Sequence, residues 1–469
     1  MEGVAAPRRA LGLGDLLLFY IITGTSLRWI ATAATAGPSA IVIWLIAWAA
    51  FYVPLALSVI ELSSRYPEEG GLYLWSKRAF GEFAGFMAGW CYWASNLPFY
   101  PSVLYFAAAN ALYIHGGQWL SLAHSRFYFI LFSLLGLSLP TLLNIFGLNV
   151  GKWLHNAGAL GTWLPIGMLI VLGALAWARL GSASVINLRT IIPSTHLRDI
   201  FFWATVTFAF GGCESASLMG EEIRNPRRNL RPALLGAGGL TTASYIFGTL
   251  AILVALPAKD VSGLEGVMQA IAKIAARVGW AGVTPVAALL ITVASVGAIG
   301  AWLAATARLP FVAGLDRILP PILARQHPKW RSPYVALLVQ AVAGAFFVLL
   351  GQAGTTTLGA YEALVSVSVI AYFIPFLFIF ASLIHLQRET VGPGVIRVPG
   401  GKKVATGLAL LGLATSSITI FVSIFAQPDE PTRTLGVVRI VGLSALLLAA
   451  GAALYFAGKR RQAREATLE

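Results

Sequence analysis

The chain has 469 residues, is 58% hydrophobic and only 11% charged, and carries a formal net charge of +14. Its mean hydropathy of +0.77 and its recurring apolar runs of bilayer-crossing length exclude an ordinary soluble domain. The excess of basic residues sits in short connections between these runs, so it reads as membrane topology and not as a nucleic-acid surface.

Residues 15–36 form the first predicted span. Arg8 and Arg9 before it, and the small-residue stretch A-T-A-A-T-A-G-P at its end, imitate a secretory signal. A second span begins directly after Pro38, however, so the first is read as a retained helix. Further spans are predicted at 39–64, 81–114, 127–147, 153–178, 200–223, 231–256, 283–310, 333–351, 358–386, 404–426 and 435–457, about twelve in all. Residues 260–279, with Lys273 and Arg277, are amphipathic and are predicted as a helix on the outer surface. Twenty-three Lys and Arg residues fall in connections on one side and eight on the other, with Arg28 and Arg439 inside spans. That bias predicts a multi-pass protein of the plasma membrane (the inner membrane of a bacterium) with both termini cytoplasmic; the outer loop around Arg189 fits it least well.

The sixth span contains F-A-F-G-G-C-E-S-A from Phe208. Paired glycines and Glu214 at its midpoint are both costly in a continuous membrane helix, so this span is expected to break there and to face a cavity. The first span offers a weaker counterpart, Thr23-Gly24-Thr25-Ser26, whose hydroxyls suit the backbone groups that a break frees. With the predicted orientation these two spans run in opposite directions, as an inverted repeat requires, and such breaks form the site in many secondary transporters. The two cysteines, Cys91 and Cys213, lie inside spans and predict neither a disulfide framework nor a metal centre. No Walker loop, H-E-x-x-H or C-x-x-C occurs, so no cofactor, ATP-driven step or enzymatic chemistry is expected.

Taken with E-L-S-S-R-Y-P-E-E-G-G-L-Y-L-W from Glu61, N-P-R-R-N from Asn225 and A-R-L-P-F-V-A-G-L-D-R-I-L-P from Ala307, these motifs resemble the amino acid–polyamine–organocation transporter superfamily. The resemblance implies an all-α polytopic membrane protein with a 5+5 inverted-repeat core, broken helices 1 and 6, and two accessory helices. It places the core at 1–386 and the accessory helices with a short basic tail at 387–469. It implies that the backbone at Thr23, Gly24 and Thr25, with Ser26 beside them, meets a substrate carboxylate. Carbonyls from Phe208 through Phe210 to Gly211, with Gly212 completing the break, would meet an amine. Phe208 matches an aromatic that closes over the substrate, and Glu214 matches a gating, proton-linked acid. The chain departs from the pattern in having one glycine in the first break and no Lys in span 5, which turns attention from a proton-only cycle to exchange.

Other candidates come from single residues. Arg28 either meets an anionic group of the substrate, or pairs with Glu214, or reaches an outer vestibule. Asn96, Tyr100 and Trp302 either line the cavity or pack. Thr292 and Ser295 are the only candidates for a sodium site, and hydroxyls in membrane helices more often serve packing. Glu61 with Arg65, and Glu221 with Arg224, have the spacing of ion pairs at inner helix ends. The reading is a secondary transporter of amino acids or related amines, driven by a proton or an exchanged solute, with sodium third. A polyamine or cationic-amine carrier is the alternative within the class, and a non-transporting membrane sensor the alternative outside it.

Overall fold

The structure, a computed structural model, describes residues 10–467 apart from 116–117, 194–201, 204–205, 262–264, 352–356, 391, 393 and 425–432. The first predicted span is two helices, α1 (Leu13–Gly24) and α2 (Leu27–Ala34), separated by extended backbone at Thr25 and Ser26. The second is α3 (Ala40–Ala47) and α4 (Val53–Arg65), joined through a π-helical turn at Trp48–Tyr52. A short helix, α5 (Leu72–Phe80), precedes the third span, α6 (Glu82–Ala111). Next come α7 (Arg126–Ile145) and α8 (Leu148–Leu180). The start of the sixth span lies outside the described residues. Beyond its break, Ser215–Glu222 winds as a 3-10 helix kinked at Met219.

The second half continues with α9 (Pro226–Ala255), α10 (Gly266–Arg277), α11 (Val283–Thr306), α12 (Arg308–Leu315), α13 (Tyr334–Gly351) and α14 (Thr357–Leu386). It closes with α15 (Gly401–Ile424) and α16 (Arg433–Ala466). Among the described residues, nine helices or joined helix pairs are long and apolar enough to cross a membrane. The amphipathic α10 packs Val267, Met268, Ile271 and Ile274 onto the bundle, as its sequence period requires. Start signals are local. Asn225 takes a left-handed conformation (φ 46°) that an asparagine tolerates, and Pro226 then opens α9 where its missing N–H costs nothing.

Small residues set the closest helix approach. A Cβ on Gly158 of α8 would stand 2.8 Å from the Gly297 Cα of α11, so this pair lets the two backbones touch. Motifs far apart in sequence are joined in the same way. Gly71 and Gly220 bring the loop after α4 against the 3-10 segment, and Gly70 N–H donates to the Leu218 carbonyl at 3.1 Å.

The end of the bundle that carries most of the basic residues is held by ion pairs. Glu61 pairs with Arg65 at 2.5 Å, as the sequence spacing predicted, and also accepts from Gln387 and the Val398 N–H. Arg308 pairs with the buried Glu222 and lies 3.5 Å from Glu69. Glu221, the predicted partner of Arg224, is exposed, and its neighbour Glu222 takes the buried position. Asp15 of α1 accepts from Lys152 and Asn156 of α8. Leu11 accepts from Arg224 N–H at 2.8 Å, which ties the entry of α1 to the exit of the broken sixth span.

Candidate functional site

The two breaks face each other. Gly212 adopts φ 109°, a conformation that favours glycine, and a Cβ there would stand 2.6 Å from the Thr23 carbonyl oxygen. Thr23 Oγ1 donates to Phe19 O at 2.9 Å and lies 3.0 Å from Ser215 Oγ across the seam. Thr25 Oγ1 lies 2.6 Å from Thr241 Oγ1 of α9. Tyr245, also on α9, bridges both breaks. Its hydroxyl lies 2.9 Å from the Gly24 carbonyl and 2.9 Å from the Ala209 carbonyl, sharing one hydrogen between them, and accepts from Ser26 N–H at 3.3 Å. Freed backbone groups in the interior are thus satisfied by hydroxyls, as a low-dielectric surround demands.

Between the breaks lies a cavity of about 50 Å³. Of the residues singled out from the sequence, Thr23, Gly24, Thr25, Ser26, Phe208, Gly211, Asn96, Trp302 and Ser295 line it. Phe208 packs edge-on against Trp29 with ring centres 5.3 Å apart, closing one wall. Asn96 holds its side chain by donating to the Tyr92 carbonyl at 2.7 Å. The lining contains no Asp, Glu, Lys or Arg side chain among the described residues.

The remaining candidates sit behind that lining. Phe210 is turned away from the cavity into an aromatic cluster with Trp44, Tyr52 and Tyr245. Tyr100 lies one residue off the cavity stripe of α6 and is hydrogen-bonded at 2.8 Å to Thr306, with Gln340 beside both. Thr292 Oγ1 donates to Ala288 O and Ser295 Oγ to Ile291 O, the ordinary use of hydroxyls inside a helix. The buried Arg28 guanidinium lies over the rings of Trp29 and Phe99 at 4.2 and 4.6 Å and donates to Ser102 Oγ at 3.0 Å. Trp29 and Phe99 line the cavity, so the charge stands one ring behind its wall.

Glu214 is fully buried, and its partners are groups that the sequence did not announce. Tyr92 of α6 donates to it at 2.5 Å, Tyr372 of α14 at 2.8 Å, and Gly212 N–H at 3.1 Å. Three donors and no acceptor suit a carboxylate. Tyr372 also lines the cavity and packs against Phe208 at 5.0 Å, so one side chain touches Phe208, the cavity and the acid.

Residues 10–446 match the family model described as amino acid permease. The chain belongs to the amino acid permease family. The permease is 28% identical over 434 residues to an uncharacterized transporter of Legionella pneumophila, covering 91% of this chain and 92% of that one. It is 23% identical to a probable agmatine/putrescine antiporter of Lactococcus lactis, over 86% of each chain. Its fold is similar to that of the crystal structure of MhsT in complex with L-phenylalanine, with a TM-score of 0.63 at 14% identity, covering 87% of the permease and 98% of that chain. The permease is a multi-pass membrane protein and a secondary transporter of amino acids or related amines.

Proposed function

We propose that the permease carries a small amino acid with no net charge, bound as a zwitterion in the cavity between the two breaks. The observation that carries this reading is the cavity itself: about 50 Å³, set between two helix breaks, with uncharged side chains for walls. The positive dipole end at the start of α2 favours a carboxylate, and carbonyls at the end of the broken sixth helix favour an ammonium. A second ammonium, as in a diamine, would be buried without a countercharge, which costs several kcal/mol. The side chain of the substrate would meet Asn96, Phe99 and Trp302.

Alternating access then needs a link between the cavity and the basic end. Tyr372 and Glu214 supply it in this reading: movement of Phe208 over the substrate moves Tyr372, and Tyr372 holds the acid. Protonation of Glu214 would free at least one of its donors, so a proton or an exchanged solute drives the cycle. The charge asymmetry supports a plasma-membrane location with both termini cytoplasmic. The core would end near residue 386. Thr415 of α15, donating to Ala50 O at 3.0 Å, and Trp90, donating to Leu447 of α16 at 2.9 Å, attach the accessory helices to it.

The test is uptake into proteoliposomes preloaded with unlabelled solute. Labelled glycine, alanine, serine or threonine should enter, while putrescine and agmatine neither enter nor compete. Competition by putrescine at concentrations equal to the best amino acid would overturn the neutral-substrate assignment.

A further inference from the structure

Away from the transport site, a second cavity of about 240 Å³ opens between α5, α6, α12, α13 and α16. Phe86, Trp90, Leu309, Leu323, Val339 and Leu454 give it a wall of carbon. Of the polar side-chain atoms in its lining, Trp90 Nε1 donates to Leu447 O and the Tyr73 hydroxyl donates to Asp316 at 2.6 Å, while the buried Trp93 Nε1–H makes no hydrogen bond. One lone donor is too few to hold ordered water, which needs about two to four polar partners, so a cavity of this size walled otherwise by carbon accepts apolar matter. Val339 and Leu454 are themselves exposed, and Phe83, Leu338, Val342 and Phe456 on the same helices or at their ends are exposed too. In a membrane such a face meets lipid hydrocarbon.

The rim of this cavity lies at the basic end of the bundle. Arg461 Nη2 donates to the carbonyls of Arg317 and of Leu319, a wall residue, at 2.8 Å each, which anchors a guanidinium at the rim. Arg317 and Arg325, on either side of the wall residues Leu319 and Leu323, are exposed and carry no ion pair among the described residues. The acids nearby are already neutralised. Asp316 receives Lys77 at 2.7 Å, Glu82 pairs with Lys459, and Glu465 lies 3.9 Å from Arg461. An apolar slot therefore ends in a surplus of positive charge.

We propose that this slot binds one anionic phospholipid of the leaflet at the basic end, with an acyl chain in the cavity and the phosphate against Arg317 and Arg325. The slot supplies the tail site and the arginines supply the headgroup preference. A zwitterionic lipid has the same tail, but its own ammonium faces the same arginines.

The permease, stripped of lipid in detergent, is titrated with palmitoyl-oleoyl phosphatidylglycerol or the matching phosphatidylcholine and read by native mass spectrometry. One phosphatidylglycerol should be retained per chain, roughly tenfold tighter than phosphatidylcholine. Val339→Trp with Leu454→Trp fills the slot from its exposed side and should abolish retention of both lipids. Arg317→Gln with Arg325→Gln should keep a bound lipid and lose the preference. Thermal stabilisation by the transported amino acid reports that each variant is folded. Undiminished phosphatidylglycerol in the tryptophan variant would overturn the proposal, because the basic tail alone would then hold the lipid. Equal retention of the two lipids by the wild type would overturn it as well. So would a tryptophan variant that converts a dimer to a monomer, since a second copy of the chain would then be what covers the slot.

Discussion

Replacing each of three glycines by alanine should give three different failures, because a methyl group meets something different at each. At Gly212 the added carbon would stand 2.6 and 2.8 Å from the Thr23 carbonyl oxygen and carbon, and φ is 109°. Backbone strain of about 1–3 kcal/mol and overpacking of about 1–3 kcal/mol together predict a destabilisation of about 2–6 kcal/mol, with the two breaks forced apart. At Gly211 the carbon would stand 2.5 Å from the Tyr372 ring and 2.7 Å from its hydroxyl, both movable side-chain atoms. Gly211→Ala should therefore fold, push Tyr372 off Glu214 and lose transport. At Gly24 the nearest atom is the Gly211 carbonyl oxygen at 3.8 Å, an ordinary contact. Gly24→Ala should keep wild-type stability and reject the larger substrates first, since it removes space from a cavity of about 50 Å³. Thermal unfolding in detergent, with and without saturating amino acid, ranks the three. A Gly212→Ala protein as stable as wild type, or a Gly24→Ala protein that binds every substrate unchanged, would refute the placement of the breaks.

Three further outcomes follow from the same geometry. Glu69 is held near Arg308 together with Glu222, and burial raises its pKa from 4.5 to about 8, with Arg308 pulling the other way. A raised value means that the fold gains stability from this group in full below about pH 4.5 and loses it as pH rises through about 8, so the melting temperature of Glu69→Gln should exceed that of wild type by a margin that widens from about pH 4.5 to about 8 and then levels off. Tyr245→Phe removes the hydroxyl shared by Gly24, Ala209 and Ser26 and should cost about 1–3 kcal/mol of stability, read as a lowered melting temperature with weaker substrate binding. Glu214→Gln places an amide where Tyr92, Tyr372 and Gly212 N–H all donate, and should preserve folding while flattening the pH profile of uptake in proteoliposomes.

The spans and their breaks were legible because they rest on chain-local physics. A second span predicted at 39–64 is Ala40–Arg65, and the break predicted at Thr23–Ser26 falls at Thr25 and Ser26. Membrane length and the cost of glycine and carboxylate in a helix suffice for that. Facing was harder. On α6, Tyr92, Asn96, Phe99, Val103 and Phe106 follow the helical period; all but Tyr92 line the cavity, and Tyr92 reaches Glu214. Tyr100 follows Phe99 by one residue and so turns away toward Thr306 and Gln340. Phe210 and Gly211 divide in the same way at the sixth-span break. The partners of Glu214 and of the paired breaks left no sequence signal, because a tyrosine within an apolar span looks the same whether its hydroxyl packs or binds an acid 122 or 158 residues away. Arg28 was conspicuous as a charge, but its place behind Trp29 and Phe99 depends on α6, a separate span.

Transport by this permease turns first on where the substrate sits. A structure of the permease with its best transported amino acid at saturating concentration should show density between the breaks. The carboxylate should lie within hydrogen-bonding distance of backbone N–H groups at the start of α2, and the ammonium near carbonyls between Phe208 and Gly211. Density instead beside Glu222 and Arg308 at the basic end, with the space between Gly24 and Gly211 unfilled, would contradict it.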